Sequence, residues 1–133
     1  MQSAFVISQS DKRPIYLQIM EQIKRRIAVG DWTEGHALPS IRQLAVDLQI
    51  SVITVKRAYL ELEREGVIVT QQGRGSRVAQ NPGLGLRIHE EELQQHLEHT
   101  VRLSALLGLK PRELASRLRE ATDTIADNEK ETK

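Results

Sequence analysis

The sequence contains no cysteine and few aromatic residues, with one Trp, two Tyr and one Phe among 133 residues. Without cysteine the chain can form no disulfide, no thiolate zinc site and no cysteine nucleophile. It also lacks an apolar run of the roughly 18 to 20 residues that spans a bilayer. The N-terminus, MQSAFVISQS, lacks the basic region that opens a signal peptide. These absences predict a cytoplasmic protein with no membrane segment.

Net charge is only +1, but the charged residues are unevenly distributed. Residues 1–80 carry eleven Lys/Arg against eight Asp/Glu, and residues 81–133 carry eight against ten. The N-terminal part is therefore the candidate for contact with an anionic partner. The chain has no clustered acid and base, and Gly73-Arg74-Gly75 is too short to count as a phosphate-binding loop. The sequence thus favours a protein that is not an enzyme and carries no cofactor or metal.

Apolar spacing predicts three helices in the first half of the chain. A first amphipathic helix starts at Pro14 and ends at Gly30. A second, of about two turns, starts at Ser40, which forms a capping-box pattern with Gln43. After a tight turn a third helix begins at Ser51, which can serve as its N-cap. This order, with two helices separated by a tight turn, predicts a helix-turn-helix.

Two short β-prone segments follow, within residues 67–79, and glycines separate them. This pattern predicts a β-hairpin. A helix-turn-helix followed by a glycine-tipped hairpin is a winged helix-turn-helix, in which one helix enters the DNA major groove and the hairpin reaches the flanking backbone. The predicted fold is therefore mainly α with a small β-hairpin.

The domain organisation follows from these elements and from the composition of the C-terminal part. Residues 1–80 form the predicted DNA-binding domain, and residues 81–88, rich in Pro and Gly, form a linker. Residues 89–122 form a region of two helices. Residues 123–133 are polar and are predicted to be a disordered tail.

Two helices cannot close a core by themselves, so the C-terminal region must pack on the N-terminal domain or on a second copy. The apolar stripe of Leu93, Leu97 and Val101 favours a second copy, and hence a homodimer. The same helix also carries four residues that can be drawn as a metal site: His89, Glu92, His96 and His99. We interpret them as a solvated polar face.

Cations lie where a winged helix-turn-helix meets DNA. Arg42 is in the first turn of the second helix, and Lys56 and Arg57 are in the first two turns of the third, where they can neutralise phosphates or pair with guanine. Arg74 and Arg77 flank the hairpin glycines, and an arginine there can enter a narrow minor groove. Because Lys56 and Arg57 are about 100° apart, one of them can instead be a surface charge or pair with Glu61.

The apolar residues of the third helix leave one point open. Val55, Ala58, Tyr59 and Leu62 have the spacing of a core-facing stripe. Val52 and Ile53 lie at the N-terminal end of the helix, where they can either partly plug the core or contact bases.

Four segments in this order, PIYLQIMEQIKRRIAVGDW, LPSIRQLAVDLQI, TVKRAYLELEREGVI and QQGRGSRV, resemble the DNA-binding domain of the GntR family of bacterial transcription regulators. The resemblance covers about residues 13–79, and the short helical remainder is similar to the YtrA-like subfamily. It implies a homodimer that binds a two-half-site operator in double-stranded DNA, most often as a repressor. Many relatives have Gly where this chain has Gln49, and Arg or Asn where it has Val52.

The resemblance places family DNA contacts on Ser40, Arg42, Ser51, Val52, Ile53, Lys56 and Gly73. The full candidate set is Ser40, Arg42, Ser51, Val52, Ile53, Thr54, Lys56, Arg57, Gly73, Arg74 and Arg77. The competing interpretation is a winged-helix module that binds a protein or RNA, but the position of the cations at the helix-turn-helix and wing favours duplex DNA. The sequence leaves open whether a small-molecule effector acts on the protein.

Overall fold

The computed structural model describes residues 5–8 and 10–131, and the chain divides into two compact units, Met1–Glu90 and Glu91–Lys133. The elements in order are α1 (Ile15–Ala28), α2 (Ile41–Leu48), α3 (Val52–Arg64), β1 (Ile68–Gln71), β2 (Gly75–Val78), α4 (Leu84–Leu106) and α5 (Pro111–Glu131). The predicted fold class, mainly α with one β-hairpin, is confirmed. Among the helices that the structure describes, none is long and apolar enough to cross a membrane.

The core of the first unit lies around α3, which packs against α1, α2 and β1. The predicted inward stripe of α3 is buried, with Val55, Ala58 and Leu62 fully covered. The largest fully buried side chains are Ile19, Ile23, Leu44, Leu62, Ile68, Val55, Val67 and Val78. Burial of this stripe stabilises α3 although several of its residues are poor helix formers, because tertiary packing outweighs intrinsic propensity.

Serine side chains cap both helices of the helix-turn-helix, as predicted. Ser40 Oγ accepts a hydrogen bond from the Gln43 backbone N–H at 3.0 Å, and Ser51 Oγ accepts one from the Thr54 N–H at 3.1 Å. Each bond satisfies a backbone donor that the first helical turn leaves unpaired. The Gln43 side chain itself donates to Asp47 Oδ1 at 2.8 Å.

The hairpin forms the wing, a name we use for residues 68–78. Its strands are antiparallel and pair Ile68 with Val78 at one end and Gln71 with Gly75 at the other. Gly73, at the tip, has φ +81°, a conformation that favours glycine. A further bridge between Ala37 and the second strand ties the wing to the loop that precedes α2.

The predicted linker, residues 81–88, is corrected by the structure. Helix α4 already begins at Leu84, and Leu84 and Ile88 are buried in the core of the first unit. Arg87 also donates to the Glu65 carbonyl oxygen at 3.0 Å. The first unit therefore extends beyond residue 80, because the start of α4 supplies part of its apolar core.

The predicted disordered tail is also corrected, since α5 continues past residue 122 to Glu131. Apolar or small residues recur along it with alternating spacings of four and three, at Leu114, Leu118, Ala121 and Ile125. That spacing keeps one stripe in register along a helix. The polar composition of the segment concealed this repeat.

The segment before α1 lies against that helix through two glutamines. The Gln22 side chain exchanges two hydrogen bonds with the backbone of Val6, at 2.9 and 2.6 Å. Gln18 does the same with Ser8, at 2.9 and 3.4 Å. Gln18 and Gln22 are four residues apart on a helix, and Val6 and Ser8 are two residues apart in an extended segment. Both pairs are separated by about 6 to 7 Å along the chain axis, so the two segments can bond side by side.

The sequence alone does not decide whether residues 4–7 form a short strand, a dimer-contact arm or a disordered segment. Ala4 lies outside the described residues. Phe5 is buried, with its ring 6.1 Å from that of Trp32 and the Arg26 guanidinium 4.8 Å from its centroid. The described part of this segment therefore belongs to the packing of the first unit.

Candidate nucleic-acid interface

The turn between α2 and α3 depends on Gln49, which has φ 56° and ψ 46°. It is the only non-glycine residue with positive φ among those that the structure describes. The Gln49 N–H donates to Val46 O at 3.2 Å, and the Ile50 N–H donates to Ala45 O at 3.0 Å. These two bonds form a Schellman pattern, which closes α2 and redirects the chain so that α3 starts at Val52, three residues after Gln49.

Tyr59 fixes the start of α2 from the middle of α3. Its buried hydroxyl donates to the Pro39 carbonyl oxygen at 2.7 Å. Burial raises the pKa of the Tyr59 phenol above its usual value of 10.0, because the ionised form would lose its hydration. Pro39 directly precedes Ser40, so this bond helps to position the helix end that carries Ser40 and Arg42.

The N-terminal end of α3 is open to solvent. Val52 and Ile53 have exposed fractions of 45% and 79%, and Lys56 is exposed beside them. Neither residue belongs to the buried core cluster, and Ile53 in particular is mostly exposed. Ser51 is exposed as well, although its side chain is engaged in capping α3.

The other exposed candidates lie on α2 and on the wing. Ser40 and Arg42 are exposed at the start of α2, and Gly73 and Arg74 are exposed at the wing tip. At the wing tip, the Arg74 N–H donates to Gln71 O at 2.9 Å, which closes the turn and leaves the Arg74 side chain outside it. The start of α2, the N-terminal end of α3 and the wing tip, three segments of the chain, thus present polar or cationic groups to solvent.

Arg57 has an intramolecular partner that the sequence did not indicate. Its guanidinium lies 4.0 Å from the centroid of the Tyr16 ring, and it donates to the Tyr16 hydroxyl at 3.3 Å. The alternative partner, Glu61, instead forms an ion pair with Arg64 at 3.2 Å. Because Tyr16 and Arg57 are 41 residues apart, no local spacing relates them.

Two further candidates are engaged within the fold. Arg77 is half-buried and donates to the Gly35 carbonyl oxygen at 3.1 Å, so it fastens the wing to the loop before α2. Thr54 Oγ1 lies 2.8 Å from Ser51 Oγ and belongs to the cap of α3. Among the candidates, Thr54 and Arg77 are partly buried, whereas Arg57 is exposed but has its guanidinium against the Tyr16 ring.

Comparison with known proteins agrees with this arrangement. The gntR family of bacterial regulatory proteins matches residues 15–78. The uncharacterized HTH-type transcriptional regulator YhcF of Bacillus subtilis is 32% identical over 111 residues, which are 84% of this chain and 92% of that protein. The chain belongs to the GntR family.

Two further similarities refine the place of the chain within the GntR family. The HTH-type transcriptional repressor YtrA of Bacillus subtilis is 46% identical over 68 residues, 51% of this chain and 52% of YtrA. A GntR family transcriptional regulator from Listeria monocytogenes has a similar structure, with a TM-score of 0.73 and 28% identity over 84% of this chain and 97% of that one. The chain is a YtrA-like GntR protein, and hence a DNA-binding transcriptional regulator.

Proposed function

We propose that this GntR regulator is a repressor that binds, as a homodimer, an operator of two half-sites. The observation that carries the proposal is the division of α3 into a buried face and an exposed face. Val55, Ala58 and Leu62 are buried, whereas Lys56 and the N-terminal end of the helix face solvent. Arg42 is exposed on the neighbouring helix. A helix with one face in the core and a cationic face outside fits the recognition helix of a helix-turn-helix.

In this proposal each exposed candidate residue contacts a different part of the DNA duplex. The N-terminal end of α3 enters the major groove, where Lys56 pairs with guanine or a phosphate. Arg42 and Ser40 bind the backbone or a base edge beside it. Gly73 and Arg74 bring the wing to the flanking phosphates or minor groove. Arg57 acts from its position on Tyr16, and Arg77 supports the wing.

Apolar side chains left exposed on the C-terminal helices support the homodimer. They include Leu93, Leu97 and Val101 on α4 and Leu118 and Ile125 on α5. Large exposed apolar patches mark contact surfaces. A two-fold symmetric pair would place two copies of α3 in successive major grooves, about 34 Å apart. Because bacterial operators lie in the cytoplasm, the proposal places the protein there, with a regulatory and not a catalytic role.

The first experiment selects bound duplexes from a random-sequence library with the full-length protein and then titrates a selected duplex at several salt concentrations. We expect a two-fold symmetric sequence, and an affinity that falls by about one power of the salt concentration for each phosphate neutralised. A winged-helix module for protein or RNA would show no such selection. In a reporter gene whose promoter contains the selected sequence, added protein should lower transcription; a rise would contradict the repressor role.

The contribution of Arg42 is tested on the same duplex. Arg42→Ala should weaken specific binding by roughly 1 to 3 kcal/mol if the guanidinium reads a base. Arg42→Lys keeps the charge and should restore binding only if the contact is to a phosphate. Arg117→Ala, which removes an exposed arginine of α5, is the matched control. Equal affinities for the wild type and Arg42→Ala would exclude Arg42 from the interface.

A further inference from the structure

Val52 and Ile53 begin α3 with two β-branched side chains that the core does not use. Their exposed fractions are 45% and 79%, whereas Val55 in the next turn is fully buried. β-Branched residues are poorer helix formers than straight-chain ones. The first turn is held instead by the Ser51 cap. Folding of the unit therefore does not account for a Val-Ile pair at this end of the helix.

The residue next to Val52 and Ile53 on α3 indicates which kind of surface this pair contacts. Lys56 follows Val52 by four residues and Ile53 by three, so helical periodicity places the three side chains next to one another. All three are exposed. Such an arrangement fits contact with DNA, in which the Lys56 ammonium neutralises a phosphate while Val52 and Ile53 lie against base edges. This step rests on the function proposed above.

Aliphatic side chains have no hydrogen-bond donor or acceptor, so they cannot read the polar atoms of a base edge. The major groove offers one aliphatic group, the methyl on C5 of thymine, and 5-methylcytosine carries the same group. Contact between a side chain and that methyl removes apolar surface of both from water. We propose that Val52 and Ile53 select a pyrimidine 5-methyl group, supplied by thymine, in each half-site of the operator.

The test removes single methyl groups from the selected duplex. Each thymine of one half-site is replaced in turn by uracil, which keeps the hydrogen-bonding pattern and lacks only the methyl. Loss of one buried methyl should weaken binding about fourfold at one or more positions. The loss should persist at high salt because no charge is involved. A half-site without thymine, or uracil scans that leave every affinity unchanged, would overturn the proposal.

The source of the methyl group is tested by repeating the selection with a library whose cytosines have been methylated at C5. Thymine should be enriched at the same positions in both pools. Selective binding confined to the methylated pool would overturn thymine as the source.

Substitutions then show whether Val52 and Ile53 sense the methyl. The double variant Val52→Ser and Ile53→Ser should bind the thymine and uracil duplexes equally, while Val29→Ser, which alters an exposed valine after α1, should keep the fourfold ratio. A fourfold ratio in the double variant would show that the methyl acts through DNA shape, and would overturn the proposal.

Two controls make these outcomes separable. Thermal unfolding checks that the variants fold, and Ile53→Ser alone, at the more exposed position, carries the test if the double variant does not. If the wild type selects no duplex, the proposed function has failed. If the wild type selects a duplex and its affinity does not change when thymine is replaced by uracil, only the inference about Val52 and Ile53 has failed.

Discussion

Among single residues, Tyr59 connects the core to the interface most directly. Its side chain belongs to the inward stripe of α3, which the apolar spacing predicts. Its hydroxyl reaches the residue before Ser40, twenty positions away in sequence. Spacing along a helix identifies the face on which such a residue lies, but it does not identify a partner in another segment.

Replacement of Tyr59 by Phe should lower the free energy of unfolding at neutral pH by about 1 kcal/mol, because the Pro39 carbonyl loses its hydrogen-bond donor. Urea unfolding of both proteins measures this difference. An unchanged stability would show that water satisfies the carbonyl equally well.

The same pair of proteins tests the raised pKa of Tyr59. The usual pKa of the phenol, 10.0, applies to the unfolded chain, which releases the proton as the pH rises through that value. Burial raises the pKa of Tyr59 in the folded state, so the folded protein keeps the proton at that pH. Stability from this group is therefore complete below pH 10 and is lost as the pH rises towards the folded pKa. By pH 11 the wild type should lose about 1.4 kcal/mol more than Tyr59→Phe. Parallel pH profiles would contradict the assignment.

Arg57 has a contact with Tyr16 that the sequence did not indicate. A cation next to Lys56 on α3 is a sound candidate for DNA contact, yet the Arg57 guanidinium lies on the Tyr16 ring. Cation–π contacts have no sequence signature when the partners lie in different helices. The position of Tyr16 at the start of α1 was visible in the sequence, but its proximity to Arg57 was not.

The turn between α2 and α3 places Gln49 in the left-handed conformation that suits glycine. A left-handed backbone costs an ordinary residue roughly 1 to 2 kcal/mol. The Schellman bonds around Gln49 hold the turn in this conformation despite that cost.

Gln49→Gly should therefore raise the free energy of unfolding by about 0.5 to 1 kcal/mol, since relief of the left-handed strain exceeds the added entropy of the unfolded chain. Gln43→Gly, in the first turn of α2, is the control at a position with ordinary helical backbone; it should lower stability by about 1 kcal/mol, and it also removes the bond to Asp47. Denaturant titration gives both values. A decrease for Gln49→Gly would mean that its exposed side chain contributes more than the strain costs.

Element boundaries show where composition misled the sequence reading. Pro and Gly at residues 82–85 indicated a linker, yet α4 begins at Leu84 because its first turns bury Leu84 and Ile88. The polar segment after residue 122 indicated disorder, yet α5 continues through Ile125. Caps and apolar periodicity predicted α1, α2 and α3 well, because these signals act locally.

For the whole molecule, the exposed stripe on α4 and α5 leads to a prediction about assembly. Leu97→Glu places a charge in the proposed dimer contact, and so should give a monomer by size exclusion with light scattering. Its affinity for a two-half-site duplex should fall by on the order of a hundredfold or more, because the second half-site is no longer bound intramolecularly.

Gln95→Glu adds the same charge to the opposite side of α4 and serves as the control, which should stay dimeric. A wild-type monomer at micromolar concentration would refute the homodimer. A Leu97→Glu dimer of unchanged affinity would move the contact elsewhere on the molecule.

The sequence by itself determined the helix-turn-helix, the wing and the family, because caps, glycines and apolar spacing are set by neighbouring residues and recur in a fixed order. It also placed the candidate cations on the correct elements. Only the tertiary structure decided which of them have partners in distant segments, since the Tyr16 contact of Arg57 and the Gly35 contact of Arg77 join segments about 40 residues apart. The exposure of Val52 and Ile53 was decided in the same way: the core around α3 is filled by residues from α1, α2 and β1, and it leaves the N-terminal end of α3 outside.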